Sequence, residues 1–155
     1  MSKGTRPAKT GRCVLAMDIG GTKTLFGVFD DKLRMQDEIK IKTEPGKGSK
    51  AFVERVTTAV EALLESSRKR GQSIVGIGVG VAGEVSFRGD EIVASLNIPF
   101  LPRIDLREKL HKLTGQRATF GNDCQLALLA EHHVGAAVGG RMSLAFSWGR
   151  AWEAR

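Results

Sequence analysis

Three short segments of the chain carry residue types that could bind phosphate or accept a proton. The first is Asp18-Ile19-Gly20-Gly21-Thr22-Lys23-Thr24, which lies between two apolar runs. Paired glycines allow a tight turn whose backbone N–H groups form a concave anion site, and Thr22 adds a hydroxyl donor. Asp18 is placed to hold Mg²⁺ through water, because Mg²⁺ keeps several of its waters. Lys23 either reaches a phosphate or stays exposed, and turn chemistry alone leaves an ordinary Gly-Gly hairpin equally open.

The second segment is glycine-rich and reads Gly78-Val79-Gly80-Val81-Ala82-Gly83. Its spacing matches the dinucleotide-binding fingerprint, which must open a helix. The residues that follow, 84–89, are poor helix formers, so we reject that interpretation. We expect the glycines to let a central strand and its loop pass close to a ligand or to another strand.

The third segment is Asn122-Asp123 at the start of a predicted helix. Asn122 is a favourable N-cap, and Gln125 three residues later completes a capping-box pattern. The helix dipole favours the charged form of a carboxylate such as Asp123 in the first turn. An ionised carboxylate at a strand-to-helix junction can accept a proton from a substrate hydroxyl. The alternative is a solvated first-turn acid.

The histidines and cysteines do not indicate a metal site. No third ligand has a suitable spacing from His132-His133, which we interpret as a solvated helix end. Cys13 and Cys124 stand in apolar surroundings without a zinc-type pattern, and we interpret both as reduced core thiols of a cytosolic protein. The apolar run at 14–17 is too short for a signal peptide or a membrane span, so we expect a cytoplasmic protein with no membrane contact.

The net charge of +7 is concentrated at the two ends of the chain. Residues 1–12 contribute +4 and residues 141–155 contribute +2, which leaves +1 for the body. A nearly neutral body is not a nucleic-acid-binding surface, so we expect no nucleic-acid partner. We interpret residues 1–12 as a flexible basic head.

The elements that must position these segments follow from the apolar pattern. We predict strands at 13–17, 25–29, 33–41, 73–81 and 117–120, and helices at 50–70, at 105–113 and from 122 to 135. Ser49 is the predicted N-cap of the first helix and Gly71 its stop, and 83–103 is expected to be irregular. A meander followed by strand–helix–strand predicts a mixed five-stranded sheet with helices on its faces, in the α/β class.

Taken together, the segments resemble the ROK family of bacterial glucokinases, related sugar kinases and sugar-responsive repressors. Asp18 to Lys23 resembles the first phosphate motif of the family, and Gly80 to Val85 resembles its glycine loop. Leu96-Asn97-Ile98-Pro99 resembles the segment near the sugar, and Asn122-Asp123 resembles the catalytic segment. The resemblance covers residues 13–140, which we take as one lobe.

This resemblance implies an actin-like, ribonuclease-H-like ATPase fold whose two lobes close over ATP and a sugar. It implies ATP- and Mg²⁺-dependent phosphorylation of a hexose. Glucose is the first candidate substrate, and N-acetylated hexosamines and fructose are the next candidates. In this resemblance Asp123 is the catalytic base, and Asp18 lies near Mg²⁺. The implied sugar contacts are Gly83, Asn97 and Asn122. The implied phosphate contacts are Gly20, Gly21, Thr22 and Lys23. Gln125, Cys124 and Ala82 depart from the usual Asn, Ala and Pro of the family, which affects sugar contacts more than the fold.

The resemblance further implies a second lobe, with a phosphate motif of the type Gly-Thr-Gly-x-Gly-Gly, through which members of the family often dimerise. Residues 141–155 match nothing in the family, so we expect an incomplete and inactive first lobe that forms a homodimer only with the second lobe present. The repressor branch carries an N-terminal winged helix that a 12-residue head cannot form, which favours the kinase branch. The alternative is a non-catalytic, single-lobe module that binds a sugar or a partner.

The aberrant tail predicts a testable feature of the coding DNA. When the codons of Trp148 to Ala154 are read from their third bases, they can encode Gly-Thr-Gly-Val-Gly-Gly, and the first and fifth glycines are forced. We therefore expect a frameshift between about residues 139 and 147. Sequencing the DNA downstream of the Gly135 codon should reveal a long open frame that continues through this motif. If no reading frame continues, the tail is genuine and the codon match is a coincidence.

Overall fold

The computed structural model describes residues 11–136 and residue 138. In chain order the elements are β1 (Gly11–Ile19), β2 (Lys23–Asp30), β3 (Met35–Lys42), α1 (Gly48–Lys69), β4 (Gln72–Val81), β5 (Glu84–Val85), β6 (Ile92–Ala94), α2 (Leu106–Thr114), β7 (Ala118–Asn122) and α3 (Asp123–Val134). Single 3₁₀ turns at Pro45–Lys47 and Leu101–Arg103 precede α1 and α2.

The predicted mixed five-stranded sheet is confirmed, with strand order β3-β2-β1-β4-β7. The first three strands pair antiparallel because short turns join them. In the turn after β2, the Asp30 carbonyl accepts the Leu33 N–H at 3.0 Å and its carboxylate accepts the Arg34 N–H at 3.0 Å. By contrast, β1, β4 and β7 pair parallel, since α1 and α2 carry the chain back across the sheet between them.

The core lies between the sheet and the helices α1 and α2. Alternate residues of β1, such as Leu15 and Ile19, are buried together with Val79 and Val81 of β4. The helix α1 covers them with the apolar face that its spacing predicted, centred on the fully buried Phe52. Within the described residues, no helix is both long enough and apolar enough to span a membrane.

On the opposite face of the sheet, α3 is the helix that lies against the strands in the described part of the chain, and it does so at one end. Leu126 of this helix lies against Gly80 and Gly121, which face away from the core. None of the residues of α3 is buried, and Leu129 is 52% exposed. The prediction that both cysteines are core thiols is therefore half wrong. Cys13 is buried, whereas Cys124 is exposed on α3 because this helix has little packed against it.

Several predicted boundaries are corrected by the structure. The strand β1 begins at Gly11 rather than at residue 13, so the last two residues of the predicted head belong to the sheet. Ser49 is not an N-cap, because the 3₁₀ turn before α1 leads directly into the helix and makes Lys47 its cap.

The predicted end of α1 is confirmed, since Gly71 follows the helix in the left-handed conformation. The segment 83–103 is more regular than expected, since β5 and β6 form a small hairpin there. Residues 1–10 and 141–155 lie outside the described residues.

Substitution of one buried and one exposed phenylalanine tests how far the stability of the fold depends on the packing of α1. Phe52 is fully buried and lies 5.7 Å from Phe100 between ring centroids, whereas Phe87 is fully exposed. We expect Phe52→Ala to lower the free energy of unfolding by about 3–5 kcal/mol, because it leaves a cavity in the core. Phe87→Ala should change it by less than about 0.5 kcal/mol. Urea unfolding of both variants checks this, and equal losses would contradict the packing described.

Candidate functional site

The candidate site lies where the parallel strands β1, β4 and β7 end. Ile19 of β1 pairs with Val81 of β4, and Val81 pairs with Asn122 of β7, so the three strands end at one level. The segments that follow them are the three segments that sequence analysis singled out. Ligands of open α/β sheets bind at this kind of edge, beyond the carboxyl ends of parallel strands.

The turn between β1 and β2 is held by hydrogen bonds at both of its ends. The Gly20 N–H donates to the Lys23 carbonyl at 3.0 Å. From the end of β3, Thr43 donates its backbone N–H to the Thr22 carbonyl at 2.9 Å and its hydroxyl to the Gly20 carbonyl at 2.6 Å. Thr43 was not recognised in the sequence, because a single threonine after a strand has no distinguishing pattern.

Asp18 is a carboxylate of the site whose charged form is disfavoured by its surroundings. Partial burial raises the pKa of its carboxyl, the nearby negative charge of Asp123 raises it further, and Lys23 opposes both. A cation beside Asp18 would stabilise its charged form and offset both effects, so the residues present fit Mg²⁺. Within residues 11–136, no group of three or more His, Cys, Asp or Glu side chains could enclose a metal ion, His132-His133 included. An ion at Asp18 would therefore keep most of its waters.

The loop after β4 is bound to the segments around it. The Asn122 side-chain amide donates to the Gly83 carbonyl at 3.0 Å, and the Ser95 hydroxyl donates to the Ala82 carbonyl at 3.1 Å. A Cβ atom at Gly83 would collide with the Ala94 carbonyl, so only glycine allows this close approach. The predicted role of the glycine, to let a loop pass close to another segment, is confirmed at this position.

Asn97 reaches the same edge from the segment after β6. Its neighbour Ile98 is fully buried and anchors the segment, while Asn97 itself is exposed. A Cβ atom at Gly21 would lie 2.9 Å from the Cβ of Asn97. The segment with the predicted sugar contact therefore lies directly against the predicted phosphate turn.

The start of α3 confirms the predicted cap. Asn122 accepts the Gln125 N–H on its Oδ1 at 3.1 Å. With its amide also bound to Gly83, Asn122 keeps one amide hydrogen for a ligand. Asp123 accepts the Cys124 N–H on Oδ1 at 2.8 Å, and its Oδ2 has no hydrogen bond to a described residue. Asp123 is half-buried at the end of β7.

The raised pKa of Asp18 gives a prediction for stability. Because its charged form is disfavoured in the folded chain, Asp18 lowers stability as the pH rises through its folded pKa. We expect Asp18→Asn to raise the melting temperature at pH 7 by a few degrees at most, given its exposure, and to make no difference near about pH 3. Asp31→Asn in the β2–β3 turn removes the same charge as a control. An equal rise for both variants would attribute the effect to net charge instead.

The chain is 31% identical over 123 residues to the N-acetylgalactosamine kinase AgaK of Shewanella sp. strain ANA-3, a match that covers 79% of this chain and 38% of that protein. Among solved structures, a ROK hexokinase from Thermus thermophilus matches with a TM-score of 0.67 at 34% identity, over 82% of this chain and 40% of that one.

A ROK family glucokinase from Streptomyces griseus, solved in complex with glucose and AMPPNP, also matches with a TM-score of 0.67, at 27% identity over 82% of this chain and 38% of its own. The chain thus spans about two fifths of the length of these relatives. The architecture is that of an actin-like, ribonuclease-H-like lobe. The model of the ROK family matches residues 14–150, so the match extends into the segment 141–155, which we expected to match nothing in the family. The match covers most of the sequence, and the chain belongs to that family.

Proposed function

We propose that the chain forms the hexose-binding half of an ATP-dependent sugar kinase site, together with one of its phosphate-binding walls. One observation carries the proposal: the phosphate turn, Asp18 and Asp123 meet at one edge of the sheet, and Asp123 lies close enough to affect the pKa of Asp18. Acceptor activation and phosphate binding must take place within one cleft, and this juxtaposition supplies both.

The proposed reaction transfers the γ-phosphoryl group of ATP to a sugar hydroxyl. The hydroxyl oxygen forms a bond to the γ-phosphorus while the bond to the β,γ-bridging oxygen breaks and ADP leaves. The hydroxyl proton passes to Asp123, which lies in the first turn of α3 and acts as the base. The Gly21 N–H, together with Thr22 and Lys23, holds phosphate oxygens, while Gly20 shapes the turn because its N–H is bound to the Lys23 carbonyl. Mg²⁺ near Asp18 would supply charge neutralisation.

The proposed sugar contacts come from three segments that support one another. Asn122 offers its remaining amide hydrogen, Gly83 is fixed beside it, and Asn97 approaches from the segment after β6. All three positions present neutral polar groups, which suits hydroxyls shared by many hexoses. Glucose is the first substrate to test and N-acetylated hexosamines and fructose are the next, because the relatives named above include a glucokinase and an N-acetylgalactosamine kinase.

The described residues provide only one side of such a cleft. Electrostatic stabilisation of a phosphoryl transition state needs donors around the group and exclusion of water. We therefore expect the 155-residue chain to bind its ligands weakly, to turn over slowly or not at all, and to dimerise only with a second lobe present. We also propose that it acts in the cytoplasm. The second candidate is a sugar-binding module without catalysis, favoured because Gly83 is bound to Asn122 and Asn97 lies against Gly21 within this lobe.

Ligand titration of the isotopically labelled chain separates the two candidates. For a kinase lobe, glucose should shift the backbone resonances of Asn97 and Asn122, and MgATP should shift those of residues 20–23. Asp123→Asn should lower any transfer of radiolabelled γ-phosphate to glucose by at least about 100-fold, because the base is lost. Glu108→Gln removes a comparable first-turn acid from α2 and should have no effect. A response to the sugar with none to MgATP would instead favour the binding module.

A further inference from the structure

A pair of buried threonines lies beneath the phosphate turn. Thr24 and Thr43 are both fully buried, and their hydroxyl oxygens are 3.0 Å apart. The Thr43 hydroxyl is also 2.6 Å from the carbonyl oxygen of Gly20. A buried hydroxyl must have partners, and here the two threonines provide them for each other and for the turn.

The direction of this chain of hydrogen bonds is fixed by the number of protons. A carbonyl oxygen only accepts, so the single hydroxyl proton of Thr43 is donated to Gly20. The hydroxyl of Thr24 must then donate to that of Thr43. Hydrogen bonds in such a series strengthen one another, so Thr24 reinforces the bond to the turn.

The bond from Thr43 fixes more than one carbonyl group. The peptide between Gly20 and Gly21 is planar and trans, so its C=O and N–H groups point in opposite directions. With the carbonyl held towards Thr43, the N–H of Gly21 is turned away from the buried pair. Thr43 also donates its own N–H to the Thr22 carbonyl at 2.9 Å, which fixes the next part of the same turn.

Thr43 is in turn anchored to the helix α1. The Arg55 guanidinium donates to the Thr43 carbonyl at 2.7 Å through Nη2, and its Nη1 lies 3.6 Å from the Glu44 carboxylate. Because α1 packs on the sheet through its buried face, this bond places Thr43 relative to the core. The phosphate turn is thereby held to the rigid part of the lobe.

We propose that Thr43, supported by Thr24, is a positioning residue that orients the Gly20–Gly21 peptide so that the Gly21 N–H is presented to a phosphate oxygen. This inference rests on the proposed function, in which the turn binds the phosphates of ATP. Preorganised donors bind anions better than mobile ones, because no free energy is spent on ordering them. Thr43 itself does not touch the ligand.

The test uses the full 155-residue chain with three substitutions. Thr43→Val keeps the shape and removes the hydroxyl, and Thr43→Ser keeps the hydroxyl. Thr114→Val at the end of α2 is the matched control, since the Thr114 hydroxyl also donates one bond, at 2.7 Å to the Leu110 carbonyl, and accepts one, at 3.0 Å from the Gln116 N–H. The measurements are the orientation of the Gly21 N–H by residual dipolar couplings and the Kd for MgATP.

We expect Thr43→Val to reorient the Gly21 N–H and to raise the Kd for MgATP roughly ten-fold, the size of effect that loss of one hydrogen bond to a charged group produces. The Kd for glucose should change less than two-fold, Thr43→Ser should restore both measurements, and Thr114→Val should lower the melting temperature without affecting either. An unchanged Gly21 orientation, or a reoriented Gly21 with unchanged MgATP affinity, would overturn the inference. If the wild-type chain bound no MgATP, the nucleotide part of the proposed function would fail, and the coupling of Gly21 to Thr43 would still be decided by the orientation.

Discussion

The parallel pairing of β1, β4 and β7 is the constraint on which the rest of the site depends. The register aligns Asp18 with Gly80 and Gly80 with Gly121, and the last residues of the three strands align one step further on. Segments that are 40 to 100 residues apart in sequence are thus delivered to one edge. A shift of register by one residue would turn Asp18 into the core, because side chains alternate between the faces of a sheet.

The site combines rigid support with unfavourable electrostatics. Bonds from Asn122 and Ser95 hold the loop after β4, and Thr43 holds the turn after β1. Against this, partial burial and then the negative charge of Asp123 disfavour the charged form of Asp18, and both raise its pKa. Functional sites often retain such unfavourable terms because the ligand relieves them, and the buried core under α1 and α2 supplies the compensating stability.

The two faces of the sheet carry different types of residue. One face carries Leu, Ile and Val and packs beneath α1 and α2, whereas the other carries Gly78 and Gly80. Among the described residues, Leu126 of α3 is the side chain that lies against Gly80 on this second face. Small residues on that face bring α3 close to the strands, which places Asp123 near Asp18. The same arrangement leaves Leu129 exposed, since α3 has the sheet on one side and no described element on the other.

The sequence by itself determined the features that depend on neighbouring residues. The amphipathic spacing around Phe52 determined α1, and Gly71, which is left-handed, determined where this helix ends. Asn122 and Gln125 determined where α3 begins. Only the tertiary structure decided which distant groups meet: Thr43 beneath Gly20, Asn97 against Gly21, and Cys124 on the surface. The reason is physical. Caps and periodicity involve residues within a few positions of one another, whereas a buried hydroxyl finds its partner only when β3 is paired beside β2.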